Sequence, residues 1–514
     1  MRPTPAFLRA ALLAAATLTA QEPIDTAANR RILAEAMERS RVVESTRELA
    51  ERFGPRLAGS PNYMKAANWL TARFTSFGAS RAVLEPWGAR SPEWQLRGHS
   101  AELVAPYYLR LHAIPKAYAR ALTKPVRGVP VVLPRLTAAA LDSAGTSLRG
   151  RIVMIGRVPP LIAPTTRKAN PFTVLSDSDL VRQSASRGAG EPESYWDEAD
   201  PYLADLAEQA KLRQRLIAAG AVATIQASPS ELTLVVTGYP SYRSPYASNI
   251  PAFVLARGQF RSLQAMLELG EKPEVALALD ARVGRDSIGY NVIAEIAGTD
   301  PALKDQVVML GGHLDSWHAA AGATDNATGA ALALEVVRII RALGTAPRRT
   351  IRIGLWDGEE QEDYWGSMGW VKQHLGDPVT MSLLPEQARL SAYVNFDHGT
   401  GRLRGFELAA NEGARAMTSA LLAPWAARGA GTVTLRNHGS TDHMPFFAMG
   451  IPTFNSLQDP ADYDSRTHHT ALDGSGWVLE DELKQASAVT ASFLWHLANR
   501  DAMVMRPPLP KPKR

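Results

Sequence analysis

Three short apolar runs in this sequence each end in residues that bind hard or borderline cations. Residues 307–310 lead into Gly311-Gly312-His313-Leu314-Asp315, residues 351–356 into Asp357-Gly358-Glu359-Glu360, and residues 393–396 into Asp397-His398-Gly399. Asp325, in a loop rich in Gly and Asn ahead of an apolar stretch, and the late pair His468-His469 join them. Two imidazoles and three carboxylates, with one carboxylate to spare, suit two zinc ions. Each ion takes one His and one carboxylate, and the third carboxylate bridges them around a shared water. The spare carboxylate is then the base that takes a proton from the acidified water and passes it to a leaving amine. Adjacent acids at an extended strand end face opposite sides, so Glu359 and Glu360 can divide the work, one on metal and one on water. Asp315, two residues after His313, can accept the other ring N–H of that histidine and fix its orientation.

Each feature alone has a plainer reading. A His at a strand end is commonly structural, an acid pair at a helix start answers the macrodipole, and Asp325-Asn326 suits a turn or a cap. The coincidence at three strand ends favours one site, because in open α/β sheets ligands collect outside the carboxyl ends of the strands. The chain has no His-Glu-x-x-His, no Gly-x-Ser-x-Gly elbow, no Walker loop and no Gly-x-Gly-x-x-Gly to suggest another chemistry.

The elements that must position these residues alternate between strand and helix signals from residue 291 onward. Helices are expected over 328–343, 366–374 and 480–499, and strands over 305–310, 350–356, 390–396, 432–435 and 453–457. That pattern predicts an α/β fold with a mixed, mostly parallel central sheet flanked by helices. Residues 26–77 read as helices on either side of the turn-rich Gly54-Pro55-Arg56-Leu57-Ala58-Gly59-Ser60-Pro61. Residues 118–284 change to short β runs around a helix near 202–220 and read as an inserted module, within which the polar stretch 159–201 reads as a loop. Residues 21–117 then form the N-terminal part of the main domain and 285–503 the rest. The Pro-rich basic end, 504–514, reads as an extended, mobile tail.

Composition narrows the function. The 514 residues, 46% hydrophobic and 21% charged, allow a large core, and a net charge of +5 without a long basic block argues against nucleic acid as a partner. The absence of Cys excludes disulfides, thiolate catalysis and Cys-ligated metal, leaving His, Asp and Glu as ligands. Arg2 and Arg9 precede a short apolar run that ends in small residues before Gln21, so residues 1–20 read as a secretory signal peptide too short to span a membrane. The mature protein is expected to be exported, periplasmic or secreted.

The ordered motifs Gly311-Gly312-His313-Leu314-Asp315-Ser316-Trp317, Gly322-Ala323-Thr324-Asp325-Asn326-Ala327-Thr328-Gly329 and Trp356-Asp357-Gly358-Glu359-Glu360 resemble those of the di-zinc exopeptidase family that includes bacterial leucyl aminopeptidases. Within it the carboxypeptidase Q branch is most alike. The likeness extends to residues 54–60, to Gly439-Ser440-Thr441-Asp442, and to His469-Thr470 with Asp473, so it covers most of the mature chain. The middle module is similar to a protease-associated domain. The resemblance implies His313 and Asp397 on one zinc, Glu360 and His469 on the other, Asp325 bridging, Glu359 as general base and a cis peptide after Asp325. His468 is the nearest competitor to His469. The run Asn326-Ala327-Thr328 is nearer the aminopeptidase pattern, which leaves open the peptide terminus that is read.

The function expected is hydrolysis of the terminal bonds of dipeptides or short peptides with two Zn2+ per chain. The inserted module would cover the active-site mouth or supply a homodimer surface. Asp442 could hold a free substrate amino group, Ser440, His438 and His443 could line the same pocket, and Trp317 and Trp365 could wall a hydrophobic subsite. Two other readings are a catalytically silent, receptor-like binding protein and a zinc amidohydrolase of another substrate class.

Overall fold

A computed structural model describes residues 22–91, 93–159, 173–186, 194–239, 249–284, 287–361 and 364–513. The expected signal peptide, residues 1–20, lies outside them. Eight strands form the main sheet: β1 (Arg81–Ser91), β2 (Ser287–Ile296), β3 (Val307–His313), β4 (Thr350–Trp356), β5 (Leu390–Asn395), β6 (Leu403–Glu407), β7 (Thr432–Thr434) and β8 (Thr453–Gln458). Their spatial order is β1-β2-β4-β3-β5-β8-β6-β7. The central neighbours β4, β3, β5 and β8 run parallel, whereas β1-β2, β2-β4 and β8-β6 pair antiparallel, so the sheet is mixed.

Register explains why the chemistry collects at one edge. His313 is level with Trp356 across β3 and β4, and Gly311 is level with Asn395 across β3 and β5. Chain leaving these strands therefore delivers Asp315, Glu359 and Asp397 side by side at the carboxyl edge. The close approach of Asp397's strand end demands Gly312, where a Cβ would lie 2.7 Å from the Phe396 carbonyl oxygen.

Helices cover both faces. On one, α1 (Thr26–Glu38), α2 (Val42–Arg47) and α3 (Pro61–Ser76) pack with the 328–342 and 480–499 helices around Leu310, Val336, Ile340, Ile353, Phe454 and Phe493. The 328–342 helix is apolar around nearly its whole circumference because the sheet and the 480–499 helix enclose it. On the other face, Trp356, Trp370, Tyr393 and Phe446 form a separate core, with Tyr393 stacked on Phe446 at 3.8 Å.

Between β1 and β2 the chain leaves the main sheet and builds a four-stranded and a five-stranded sheet with their own hydrophobic core. This excursion begins earlier than the texture change near residue 118, because Trp94–Ala105 pairs along its length with Glu274–Val283. Trp94, itself buried, and the alternating pattern after it carry that signal.

Other expectations also shift. The polar stretch 159–201 is not simply a loop among its described residues. Asp177–Ala185 is a helix held by a Ser176/Asp179 capping box, and the long helix expected from 202 begins at Tyr195. Residues 403–407, not expected as a strand, lie inside the sheet, where Gly405 brings the chain close against Thr432. The Pro-rich tail is extended but docked: Arg506 donates to the Gln387 and Leu390 carbonyls, Val504 is buried, and the Lys513 N–H reaches the Val379 carbonyl at 2.8 Å. Backbone donors and carbonyls left over by Pro and Arg give such a tail anchors that composition does not reveal. Among the described residues, no helix is long and apolar enough to cross a membrane.

Candidate metal centre

His313 ends β3 and is buried, with Nε2 2.9 Å from Asp397 Oδ1 and 3.2 Å from Asp325 Oδ1. Asp325 also faces His469, whose Nε2 is 3.5 Å from its Oδ2 and 2.8 Å from Glu360 Oε2. The five residues expected to hold metal thus come together, with Asp325 between a His313/Asp397 set and a His469/Glu360 set. Ligand atoms of His468 also lie within 4.8 Å of those of Asp325 and His469. His468 stacks on Tyr463 with ring centroids 4.8 Å apart.

The local chain is built to present these groups. The Asp325–Asn326 peptide is cis, as the resemblance implies. Asp473 accepts from the Thr324 N–H at 2.7 Å and the Asp325 N–H at 3.1 Å, while Asn326 Nδ2 donates to the Phe396 carbonyl at 2.9 Å. Thr441 Oγ1 donates to Asp397 Oδ2 at 2.6 Å, which orients the other oxygen toward His313. His469 has a left-handed backbone, φ 58°, and its carbonyl accepts from Val236 N at 2.8 Å. Such strain persists only where neighbours over-determine it.

Arg56 is a support to which sequence reasoning gave no role, noting it only within the turn-rich run 54–60 that shares the family resemblance. Fully buried, its guanidinium donates to the carbonyls of Leu314, Ala321 and Gly322 at 2.8, 2.8 and 2.7 Å. It therefore ties together the loops that carry Asp315 and lead into Asp325, and burial lowers it to about 10. Its only sequence signal is position, a single Arg amid Gly, Pro and Ala.

Electrostatics supply a test of fit. Burial pushes Glu359 and Glu360 well above the usual carboxyl range, with the neighbouring acids Asp397, Asp442 and Asp325 adding to the effect. Burial acts in the same direction on Asp325, but hydrogen bonding to His313 and the nearby His469 outweigh it and hold that carboxyl low. Asp357 is raised by burial and by Asp315. Glu360 Oε1 and Asp315 Oδ2 are buried without a hydrogen-bond partner. This excess of buried acid, with Arg56 committed to carbonyls, calls for added positive charge. Imidazole and carboxylate donors grouped around a shared Asp suit a pair of zinc ions.

The remaining candidates fall in different places. Asp315 is fully buried, and its backbone carbonyl, 3.0 Å from His313 Nδ1, is nearer than its carboxylate at 3.6 Å. The carboxylate accepts instead from the Glu359 N–H at 3.1 Å. Ser440 faces the main cavity, but Asp442 is buried, accepts from Ser367 Oγ at 2.5 Å and does not line it. Asp442 is the N-cap residue of the helix that starts at His443. His438 lines the cavity, whereas His443 is buried against Asn437 and pushed down to about 3 by burial. Trp317 packs edge-on to His469 and joins the core of the inserted segment, and Trp365 packs against Trp87. Neither tryptophan lines the main cavity.

That cavity, about 370 Å³, has Asp325, Glu359, Glu360, Asp397 and His469 among its lining residues. A mixed α/β sheet with paired His/carboxylate sets at its carboxyl edge and a second acid beside them defines a two-metal hydrolase. Residues 291–494 match the model of peptidase family M28, a likeness that supports a zinc-dependent metallo-exopeptidase. In sequence it is similar to carboxypeptidase Q of Homo sapiens, 26% identical over 466 residues that cover 89% of this chain and 85% of that one. In fold it is similar to a peptidase M28 precursor from Shewanella amazonensis SB2B (TM-score 0.69, 23% identity, 94% and 98% of the two chains). It is also similar to a zinc aminopeptidase from Bacillus subtilis (TM-score 0.58, 16% identity, 90% and 95%).

Proposed function

We propose that the protein is an exported di-zinc exopeptidase that releases the N-terminal residue of dipeptides or short peptides. The observation that carries this reading is the lining of the 370 Å³ cavity: its ionisable groups are acids and histidines beside tyrosines, with no Lys or Arg among the described residues. Such a wall accepts a free ammonium and offers no cation to a substrate carboxylate. The bacterial zinc aminopeptidase fold and the sequence likeness to carboxypeptidase Q both support an exopeptidase.

In this reading His313 and Asp397 would hold one zinc and Glu360 and His469 the other, with Asp325 shared between the two sets. Bound there, the zinc pair supplies Lewis acidity that lowers the pKa of water and favours charge developing on the scissile carbonyl oxygen. Glu359 lines the cavity beside the ligands; its carboxylate takes the proton of the attacking water and delivers it to the leaving nitrogen. The hydrogen bond from its N–H to Asp315 fixes the turn that separates its task from that of Glu360, so Asp315 is a positioning residue. Thr441 and Asp473 hold Asp397 and the Asp325 backbone against rotation. Export follows from the leader-like residues 1–20, and the inserted segment contributes one wall of the cavity.

The test incubates the zinc-loaded chain from Gln21 onward, and a Glu359→Gln control, with one dipeptide in free, N-acylated, C-amidated and doubly blocked forms. Cleavage of the free and C-amidated forms, loss on N-acylation and silence of the control are expected. Cleavage that needs a free carboxyl group and tolerates N-acylation would reverse the terminus. No cleavage of any form would return the protein to a binding or other amidohydrolase role.

A further inference from the structure

One wall of the catalytic cavity belongs to the inserted segment. Tyr195, Glu198, Ala199, Tyr202 and Leu203 project from the start of the Tyr195–Ala218 helix into the same space that Glu359 and Asp397 line. Glu198 is the only charged group among these five, and its carboxylate is held in place. Its Oε1 accepts from the Ser440 N–H at 2.8 Å, from Ser440 Oγ at 2.9 Å and from the Tyr364 hydroxyl at 3.2 Å. Gly439 makes room for it, since a Cβ there would lie 1.9 Å from Oε2.

Three neutral donors on one oxygen fix the group without neutralising it. Among the described residues Glu198 has no salt-bridge partner and no Lys or Arg lines the cavity. A carboxylate held but not paired, in a pocket that opens to substrate, is a receptor for a cation. Which cation follows from its placement. The α-amino group of a bound peptide must stay beside the scissile bond, next to the acids of the metal site. Glu198 stands apart from them: Ser440 is its contact, and the next residue, Thr441, is the one that reaches Asp397. The same cavity wall includes the rings of Tyr195 and Tyr364, 6.4 Å apart, and the Tyr364 hydroxyl reaches Glu198. An aliphatic stem lying on such rings, with its charged tip on a carboxylate, is how long basic side chains pack.

We propose that Glu198 is a specificity-determining residue that seats the cationic side chain of a lysine- or arginine-bearing peptide. The inference rests on the exopeptidase reading above and names its substrate class. It also gives the inserted segment a task, since the segment supplies the recognition group while the main sheet supplies the catalytic ones.

The experiment measures kcat/KM for Lys-Ala, norleucyl-Ala, Ala-Lys and Ala-norleucine with the zinc-loaded full chain and with Glu198→Gln. Norleucine keeps the stem and removes the charge, and Gln keeps the side chain's shape and its acceptor for Ser440. In one of the two positions the unaltered protein should prefer Lys over norleucine by roughly tenfold or more, the worth of one charge-assisted hydrogen bond. That ratio should fall about tenfold in Glu198→Gln, through KM. A merely structural Glu198 would lower both members of a pair together and leave the ratio unmoved, which overturns the proposal, as does absence of a Lys preference in both positions. If none of the four peptides is cleaved, the exopeptidase reading itself falls and this one with it.

Discussion

The guanidinium of Arg56 donates a 2.7 Å hydrogen bond to the carbonyl oxygen of Gly322, three residues before the shared acid Asp325. The same group spans to Leu314, next to Asp315, so one buried side chain sets the spacing of two loops that meet at the metal centre. Among the described residues no carboxylate pairs with it, and the bonds of its guanidinium are all to backbone oxygens.

Replacing Arg56 with Ala should therefore strand several buried carbonyls and cost on the order of 3 kcal/mol or more. Arg56→Lys keeps the charge but loses the planar fork, and should fall between the two. Urea unfolding gives the stability, and zinc content per chain gives the effect on the site. An Arg56→Lys protein that matches the unaltered one in both would show that charge, not the fork, is what the loops need.

Glu359 and Glu360 are neighbours in sequence with separate tasks, which makes their variants distinguishable. Glu359→Gln should lower kcat by roughly 10²–10⁴-fold while zinc content stays at two per chain. Glu360→Gln should lose zinc, and its activity should recover in part with added zinc. Metal analysis beside kinetics checks both, and loss of zinc from Glu359→Gln would break the assignment.

Much of this site was legible because its ligands sit at strand ends, and strand ends are marked by apolar runs that stop at Gly, Asp and His. The supports were not legible for the converse reason. Arg56, Thr441 and Glu198 act through contacts distant in sequence: Arg56 reaches Leu314 across 258 residues, Glu198 meets Ser440 across 242 and Thr441 meets Asp397 across 44. Periodicity carries no trace of such pairings. Asp442 shows the limit from the other side: a turn motif suggests an exposed acid, but Ser440 faces the cavity while Asp442 is buried at the N-cap of the next helix. The core helices were readable because enclosure leaves an apolar pattern, as in the 480–499 helix. β6 was not, since its pattern is interrupted by Arg404 and Gly405.

Removing the metal should destabilise the fold as well as silence the enzyme. Burial raises Glu359 and Glu360, so without cations the pocket must either protonate these acids or hold unpaired charge. A ligand at a thousand times its Kd adds about 4 kcal/mol to folding stability. Chelation at pH 7 should lower Tm and added zinc should restore it. An unchanged Tm after verified zinc removal would mean that the cluster tolerates its own charge and that the fit argued from buried acids is wrong.

His374 offers a pH test remote from the metal centre. Its Nε2 lies 2.5 Å from Glu85 and its Nδ1 3.0 Å from Glu386, with the ring stacked on Trp370 at 4.4 Å. Burial opposes the charged imidazole, but hydrogen bonds to Glu386 and Glu85 prevail and raise it from 6.5 to about 9. Against burial, His374 and Arg352 in turn hold Glu386 down to about 2. A raised histidine stabilises fully below pH 6.5 and loses that contribution as pH climbs through 9. A depressed carboxyl stabilises above its ordinary 4.5 and loses it toward pH 2. The cluster is strongest between those ordinary values, and the histidine limb is worth on the order of 3 kcal/mol. Unfolding free energy measured in urea should therefore decline between pH 6.5 and 9. His374→Gln should be less stable at pH 6 and flatter across that interval; an equally steep decline in the variant would assign the loss to other groups.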